Sequence, residues 1–259
     1  MEELIKIPAG GGDAELAARL SASSAASPLI ILYLHGFGSS QDGEKASAFR
    51  RRAESAGIGF VSLDFQGHGL SGGEMRGLSL SRCLRDVERA RRHLPVLHGP
   101  VALMGSSMGA LVALWHAAES VGPGRVASQL LIAPALGIET TLAASLGEEG
   151  MKNWRRDGVL EVTNELGTFE LGWNFVADQA RYPATRLAAL HATPALVFQG
   201  KLDDRVSWQE VADFARAVPR LVHLELIEDG DHRLIDHLDR IWTEGLDFLV
   251  GATSTGLAT

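Results

Sequence analysis

The chain has 259 residues, of which 46% are hydrophobic, so it is long enough for one ordinary α/β domain that buries about 70–75% of its unfolded surface. A formal net charge of −8 argues against nucleic acid and anionic membrane surfaces as partners, because both would be repelled. The single cysteine, Cys83, excludes an internal disulfide framework and favours a reduced, cytoplasmic location.

The predicted elements begin with a hairpin and continue as alternating strands and helices. Residues 3–20 contain two short strand patterns joined by a turn at residues 10–13. Apolar strand candidates follow at residues 29–34, 59–64, 101–104, 129–133, 195–199 and 223–227. Helical patterns lie between most of them, at residues 43–56, 80–94, 107–119, 208–217 and 235–250. This alternation predicts an α/β fold in which helices cover both faces of a mostly parallel sheet.

One segment interrupts the alternation. Residues 135–193 contain no clear strand–helix unit but are rich in aromatic residues. Open α/β sheets bind ligands at the carboxyl ends of their strands, so we predict that this segment is a small cap insertion over that edge. The predicted organisation is a core of residues 1–134 and 194–250, a cap of residues 135–193 and a flexible tail of residues 251–259. The apolar run 29–34 is too short to span a bilayer, and the first residues lack a signal-peptide pattern, so no membrane insertion is expected.

The most informative motif is Gly105-Ser106-Ser107-Met108-Gly109, between an apolar strand and a helical pattern. A G-x-S-x-G pattern in this position is typical of a nucleophile elbow, a sharp turn that exposes the hydroxyl of its central serine. It predicts Ser107 as the nucleophile and gives Ser106 no chemical role. The same pattern also fits a turn that holds a phosphate at a helix N-terminus.

Further motifs resemble those of α/β-hydrolases. LYLHGFGSS is similar to the family's His-Gly loop, DFQGHGLSGG to its D-x-x-G-x-G-x-S turn, and FQGKLDDRVSW and EDGDHRL to the segments that supply an acid and a histidine. The resemblance covers nearly the whole chain, and the order serine, acid, histidine is the one expected for this fold. The motifs are most similar to the small esterases and thioesterases that include mitochondrial palmitoyl-protein thioesterases and microbial feruloyl esterases.

The resemblance implies a role for each residue of a serine hydrolase site. His232 would take the proton of Ser107, and Asp203, the aspartate that satisfies G-x-x-D-x-x-V, would orient the imidazole and stabilise its charge. Asp204 is expected to be a solvated neighbour. The backbone N–H groups of Phe37 and Met108 would form the oxyanion hole.

The remaining histidines and the cap supply secondary predictions. His35 and His68 lie beside glycines and are expected to hold turns by hydrogen bonds. His232 and His237 are five residues apart and cannot share a helical face, so neither a metal nor another cofactor is predicted. The cap aromatics are expected to line an apolar acyl pocket, or else only to pack the cap onto the core; the residues chosen for this role are Trp154, Trp173 and Phe175.

These observations predict a serine hydrolase that cleaves carboxylic ester or thioester bonds of small molecules with short to medium acyl chains through an acyl-enzyme intermediate. Two alternatives stay open. One is a non-catalytic receptor or scaffold with the same fold, because a fold does not determine a function. The other is a peptidase or another acyl-transfer hydrolase that uses the same three residues.

Overall fold

Apolar runs and amphipathic segments determine the elements of the computed structural model, which describes residues 2–21, 27, 29–120, 126–164 and 167–256. The strands are β1 (Glu3–Ile7), β2 (Leu16–Leu20), β3 (Ile30–Leu34), β4 (Gly59–Asp64), β5 (Val101–Ser106), β6 (Val126–Ile132), β7 (Val159–Asn164), β8 (Gly167–Gly172), β9 (Ala195–Gly200) and β10 (Val222–Ile227). The α-helices are α1 (Glu44–Ser55), α2 (Leu80–His93), α3 (Met108–Glu119), α4 (Ile138–Asp157), α5 (Asn174–Ala177), α6 (Ala184–Leu190), α7 (Trp208–Ala217) and α8 (Leu238–Gly256).

The main sheet has the strand order β1-β2-β4-β3-β5-β6-β9-β10. The pairs β1–β2 and β2–β4 are antiparallel, whereas all neighbours from β4 to β10 are parallel. The predicted α/β fold with a mostly parallel sheet is therefore confirmed. Parallel strands place their carboxyl ends at one edge, so the loops that follow β3, β5, β9 and β10 meet there.

The hydrophobic core lies on both faces of this sheet. Along β3, Leu32 and Leu34 belong to the core on the side of α2, α3 and α7, whereas Ile31 and Tyr33 belong to the core on the side of α1 and α8. This alternation follows from the two-residue period of a strand. Every residue of β3, β4, β5 and β9 is buried, as expected for strands covered on both faces.

The predicted cap has more regular structure than its sequence pattern indicates. It contains α4, the antiparallel hairpin β7–β8, α5 and α6. The sequence analysis does not predict α4, whose apolar residues form one narrow stripe and which Gly147 interrupts with a non-helical conformation, φ 68° and ψ 174°. The hairpin forms a two-stranded sheet of its own.

The predicted tail needs a correction at residues 251–256, which are helical and extend α8. Gly251 marks the end of the helix in the sequence pattern, but it does not adopt the left-handed conformation with which glycines end helices. Residues 257–259 lie outside the described residues. None of the helices in the described ranges is both long and apolar enough to cross a membrane.

Candidate active site

The turn between β5 and α3 has the geometry of a nucleophile elbow. Ser107 has φ 54° and ψ −117°, a conformation that is strained for a residue with a side chain. Its amide donates a hydrogen bond to the carbonyl of Ile132 at 2.8 Å, which fixes the turn against β6. A Cβ atom on Gly105 would lie 2.6 Å from the carbonyl oxygen of Gly109. The motif therefore needs its glycines because strand and helix approach too closely for side chains.

Three predicted residues from three loops meet at the carboxyl edge of the sheet. Nε2 of His232 lies 3.1 Å from Oγ of Ser107, and Nδ1 of His232 lies 2.8 Å from Oδ2 of Asp203. Because the carboxylate accepts a hydrogen bond, Nδ1 carries the proton and Nε2 is left to accept the hydroxyl of Ser107. The arrangement can therefore move a proton from Ser107 to His232.

Asp203 is held as a carboxylate by its surroundings. Its side chain is fully buried; Oδ1 accepts hydrogen bonds from the backbone N–H groups of Arg205 and Val206, each at 2.8 Å. Oδ2 also accepts a bond from Nε2 of Gln199 at 2.9 Å. Burial alone would raise the pKa of Asp203, but the hydrogen bond and charge of His232 and the backbone N–H groups of Val206 and Arg205 outweigh it and lower the pKa.

The neighbouring aspartate occupies a different environment. The side chain of Asp204 is 82% exposed and lies 3.6 Å from the guanidinium of Arg205. This placement agrees with the prediction of a solvated, ion-paired neighbour. The spacing of G-x-x-D-x-x-V therefore distinguishes the two adjacent aspartates, which composition alone could not do.

The loop after β3 and the first residue of α3 present the two predicted oxyanion donors. In the part of the chain that the structure describes, the amides of Phe37 and Met108 donate no hydrogen bond within the protein. Both residues line one cavity together with Ser107. Two free N–H groups beside a nucleophile form an arrangement that can stabilise negative charge developing on a substrate oxygen.

His35 fixes the orientation of one of these donors. Its Nδ1 lies 2.8 Å from the carbonyl oxygen of Gly36, and its Nε2 accepts a bond from the amide of Phe65 at 3.2 Å. Burial lowers the pKa of His35 to about 3, so the ring is neutral and donates from Nδ1. The C=O and N–H of a trans peptide point in opposite directions, so the bond to Gly36 directs the Phe37 N–H away from His35.

His68 supports the same loop. Its Nε2 accepts a hydrogen bond from the amide of Gly38 at 3.4 Å, and its ring lies 4.9 Å from that of His35. Both histidines therefore hold turns, as the glycines beside them indicate.

An apolar cavity of about 530 Å³ lies between the elbow and the cap. Its apolar wall comes mainly from the cap and the loop after β3; the side chains include Phe37, Ile138, Leu142, Leu146, Leu160, Val162, Leu171 and Phe175. The polar lining residues include Ser107 and His232, together with Glu161 and Arg205. A substrate acyl chain could thus extend under the cap while its carbonyl lies at Ser107.

The three aromatic residues predicted to line this pocket have different positions. Phe175 lies in the cavity wall, whereas Trp154 and Trp173 are not among the lining residues. Trp154 is 1% exposed, donates a hydrogen bond from Nε1 to the carbonyl of Leu171 at 3.0 Å, and packs edge-to-face on Trp173. Trp154 does not reach the cavity because its large ring packs α4 against the hairpin and its N–H group finds an acceptor there.

Sequence reasoning missed the apolar stripe of α4 that lines the cavity. Ile138, Leu142 and Leu146 are spaced four residues apart and therefore lie on one face of the helix. This i, i+4 pattern was a usable signal before the break at Gly147.

The described residues contain no group of three or more His, Cys, Asp or Glu side chains that could hold a metal ion. His237, the second histidine of the acidic run, lies 3.6 Å from Asp229 rather than beside His232. The site is thus built from a serine, an imidazole, a carboxylate and backbone N–H groups.

Fold and site together define the class of protein. Residues 31–248 match the model of the family described as the alpha/beta hydrolase family. The chain belongs to this family, as its motifs predict.

Particular relatives narrow the comparison. The mitochondrial palmitoyl-protein thioesterase ABHD10 of Rattus norvegicus is 28% identical over 215 residues, which span 81% of this chain and 70% of the relative. The crystal structure of a putative hydrolase from Agrobacterium vitis S4 has a TM-score of 0.82 and 26% identity, covering 96% of this chain and 98% of that one. Est1E from Butyrivibrio proteoclasticus, with ferulic acid bound, has a TM-score of 0.75 and 18% identity, covering 95% and 99%. The last likeness shows the fold alone.

Proposed function

We propose that the protein is a serine hydrolase that cleaves ester or thioester bonds of substrates with short to medium acyl chains through an acyl-enzyme. One observation carries the proposal: the imidazole of His232 is hydrogen-bonded to Asp203 on one side and to the hydroxyl of Ser107 on the other. A serine hydroxyl is a weak nucleophile at neutral pH and needs such a base. The thioesterase among the relatives supports the choice of bond.

In the acylation step, Oγ of Ser107 attacks the substrate carbonyl carbon while its proton passes to Nε2 of His232. The carbonyl oxygen becomes an oxyanion that accepts hydrogen bonds from the N–H groups of Phe37 and Met108. The bond from carbon to the leaving oxygen or sulfur then breaks, and His232 gives its proton to that atom. Asp203 stabilises the imidazolium in between and keeps its own charge.

In the deacylation step, a water molecule repeats the same chemistry. His232 takes a proton from the water, whose oxygen attacks the carbonyl carbon of the ester on Ser107. The bond to Oγ breaks, Oγ recovers a proton from His232, and a carboxylic acid is released. No metal or redox group takes part, since every proton and electron pair stays among the substrate, water and these side chains.

The apolar cavity determines the proposed acyl preference. A partly open cavity of about 530 Å³ lies between the elbow and the cap, so an acyl chain bound there loses part of its contact with water. Each buried CH₂ contributes about 0.8 kcal/mol. Catalytic efficiency is expected to rise with chain length until the cavity is full and to fall beyond that length.

Stopped-flow hydrolysis of p-nitrophenyl butyrate tests the acyl-enzyme. We expect a rapid burst of p-nitrophenol of about one equivalent per enzyme or, where deacylation is faster, trapping of the acyl-enzyme by added hydroxylamine as a hydroxamate. Ser106→Ala should retain turnover and Ser107→Ala should lose it.

A butyryl thioester and a butyryl anilide measured beside the ester test the choice of bond. Absence of turnover for all three would favour a non-catalytic protein, and a preference for the anilide would favour a peptidase.

A further inference from the structure

A second cavity adjoins Ser107 and His232 on the side away from the apolar wall of the cap. It has a volume of about 670 Å³ and shares Phe37, Ser107, Arg205 and His232 with the apolar cavity. The rest of its lining comes mainly from the loops after β3, β9 and β10 and from the first turn of α1, with Tyr33 of β3 and Ser106 of β5. The attacked carbonyl would therefore stand between an apolar space and a polar one.

Lys45 lines the second cavity, and its ammonium group has no partner among the residues that the structure describes. Within the described ranges its Nζ makes neither a hydrogen bond nor an ion pair, although the residue is half-buried. Burial, and to a smaller degree the nearby Arg233, lowers the pKa of Lys45 to about 8. A cation in the first turn of a helix also faces the positive end of the helix dipole. The position is unfavourable for a lysine unless something binds its charge.

The carboxylates near Lys45 are engaged elsewhere. Glu44 pairs with Arg233 at 2.7 Å, and Oδ1 of Asp231 accepts the backbone N–H groups of Arg233 and Leu234. Asp203 is bonded to His232. These are the acidic groups that act on the Lys45 ammonium, and each already has its own donor.

Tyr33 provides a second polar group in this cavity. It is 2% exposed, its ring packs against Phe49 and Phe60, and it lines the second cavity. Its hydroxyl has no hydrogen-bond partner among the residues that the structure describes. The hydroxyl oxygen itself is not fully buried, so it opens onto the cavity, where it can donate a hydrogen bond to a ligand.

We propose, building on the proposed hydrolase function, that the second cavity holds the alcohol or thiol half of the substrate, and that Lys45 and Tyr33 bind a carboxylate or phosphate group on that half. An ester places its acyl and leaving-group halves on opposite sides of the attacked carbon, and the apolar cavity accounts for the acyl half. The other cations of the cavity are already paired, Arg233 with Glu44 and Arg205 with Asp204. Lys45 therefore supplies a charge that has no partner among the described residues, and Tyr33 supplies a neutral donor in the same cavity.

The test uses butyrate esters that differ only in the charge of the leaving group. The probes are 4-carboxyphenyl butyrate, its neutral 4-(methoxycarbonyl)phenyl analogue, and the butyrate of 4-hydroxyphenyl phosphate. The measured quantity is kcat/KM for each anionic ester relative to the neutral one. Since a hydrogen bond to a charged group is worth roughly a factor of ten or more, Lys45→Met should reduce this ratio about tenfold. The two anionic esters distinguish carboxylate from phosphate.

Controls separate this local effect from other causes. Lys152→Met removes an exposed lysine of α4 that pairs with Glu148, and it should leave the ratio as in the wild type. Lys45→Arg should retain most of the ratio, and Tyr33→Phe should reduce it less than Lys45→Met does.

The outcomes are distinct. Suppose that the neutral ester is hydrolysed and that the ratio of kcat/KM for the anionic over the neutral ester is the same in the wild type, Lys45→Met and Tyr33→Phe. This result would overturn the anion subsite and leave the hydrolase function intact. Absence of turnover of every ester would overturn the hydrolase function, and this inference with it. If Lys45→Met does not fold, the ratio of Tyr33→Phe decides the question: a ratio below that of the wild type supports the subsite, and the wild-type ratio overturns it.

Discussion

His232 reaches across the sheet to place its Nε2 3.1 Å from Oγ of Ser107, although 125 residues separate them in the sequence. The strands that precede them, β10 and β5, are three positions apart, or about 14 Å at the usual strand spacing. The loop after β10 covers this distance by crossing the end of β9, where the amide of Leu202 donates a hydrogen bond to the carbonyl of Gly230 at 2.9 Å. A Cβ atom on Gly200 would collide with that same carbonyl.

This crossing predicts that Gly200→Ala lowers kcat/KM by roughly 10²-fold, because a displacement of about 1 Å at a catalytic group has an effect of that order. Hydrolysis of a butyrate ester and the melting temperature are the measurements. Gly99→Ala is the matched control, since its Cβ would meet nothing within 4 Å. Equal activity of the two variants would mean that the crossing does not position His232.

Asp203→Asn is expected to reduce kcat by about 10⁴-fold, the loss measured for the corresponding change in a serine protease. The amide can no longer hold His232 in the tautomer that accepts the proton of Ser107. Asp204→Asn should change kcat less than twofold, because that side chain is exposed. Similar losses in both variants would show that the acid has been assigned to the wrong aspartate.

Acid should destabilise the fold through its buried histidines. Burial lowers the pKa of His35 to about 3 and the pKa values of His68 and His116 to about 4. The unfolded chain protonates these rings below about pH 6.5, so it binds more protons than the folded chain between about pH 6.5 and 4. The free energy of unfolding therefore falls as the pH drops through this range. Burial raises the pKa of Asp86 to about 6, which offsets only part of this effect.

His116→Gln tests this account outside the site. A glutamine carbonyl can still accept the hydrogen bond that Nε2 of His116 receives from Arg91 at 3.3 Å, but it does not titrate. The difference in melting temperature between pH 7.5 and pH 5 should become smaller than in the wild type. An unchanged difference would contradict the assigned pKa direction for His116.

The cap should control the acyl chain length through α4 rather than through its tryptophans. Leu142→Phe narrows the apolar cavity, so the optimum in kcat/KM across p-nitrophenyl acetate to laurate should move to shorter chains. Trp154→Phe removes a donor that packs the cap, so it should lower the melting temperature and leave the optimum in place. A shift of the optimum in Trp154→Phe with none in Leu142→Phe would reverse these roles.

The sequence predicts the sheet and the three central side chains well, for physical reasons. The strand at residues 30–34 is apolar on both faces, a pattern typical of a parallel strand covered on both sides. The elbow motif distinguishes Ser107 from Ser106, and the spacing to Val206 distinguishes Asp203 from Asp204. Loops bring Ser107, Asp203 and His232 to within hydrogen-bond distance of one another. Each of these loops follows a strand whose carboxyl end lies at the same edge of the sheet, so their meeting could be expected.

The cap and the second cavity are less predictable. Aromatic content correctly indicates burial for Trp154, but it does not indicate the direction in which the ring faces, which depends on the position of the hairpin. Lys45 has no motif around it and lies in an ordinary amphipathic helix. The lack of a partner for its ammonium among the described residues follows only from the positions of the loops after β3 and β10.

Intact-protein and peptide mass spectrometry after treatment with a fluorophosphonate tests the central claim most directly, because this reagent forms a covalent bond with a serine only where the hydroxyl is activated by a base. We predict one phosphonyl group per chain, located on Ser107, in the wild type and in Ser106→Ala. Ser107→Ala should gain none, and His232→Ala should react far more slowly. Labelling that persists in Ser107→Ala, or that is located on Ser106, would contradict the account.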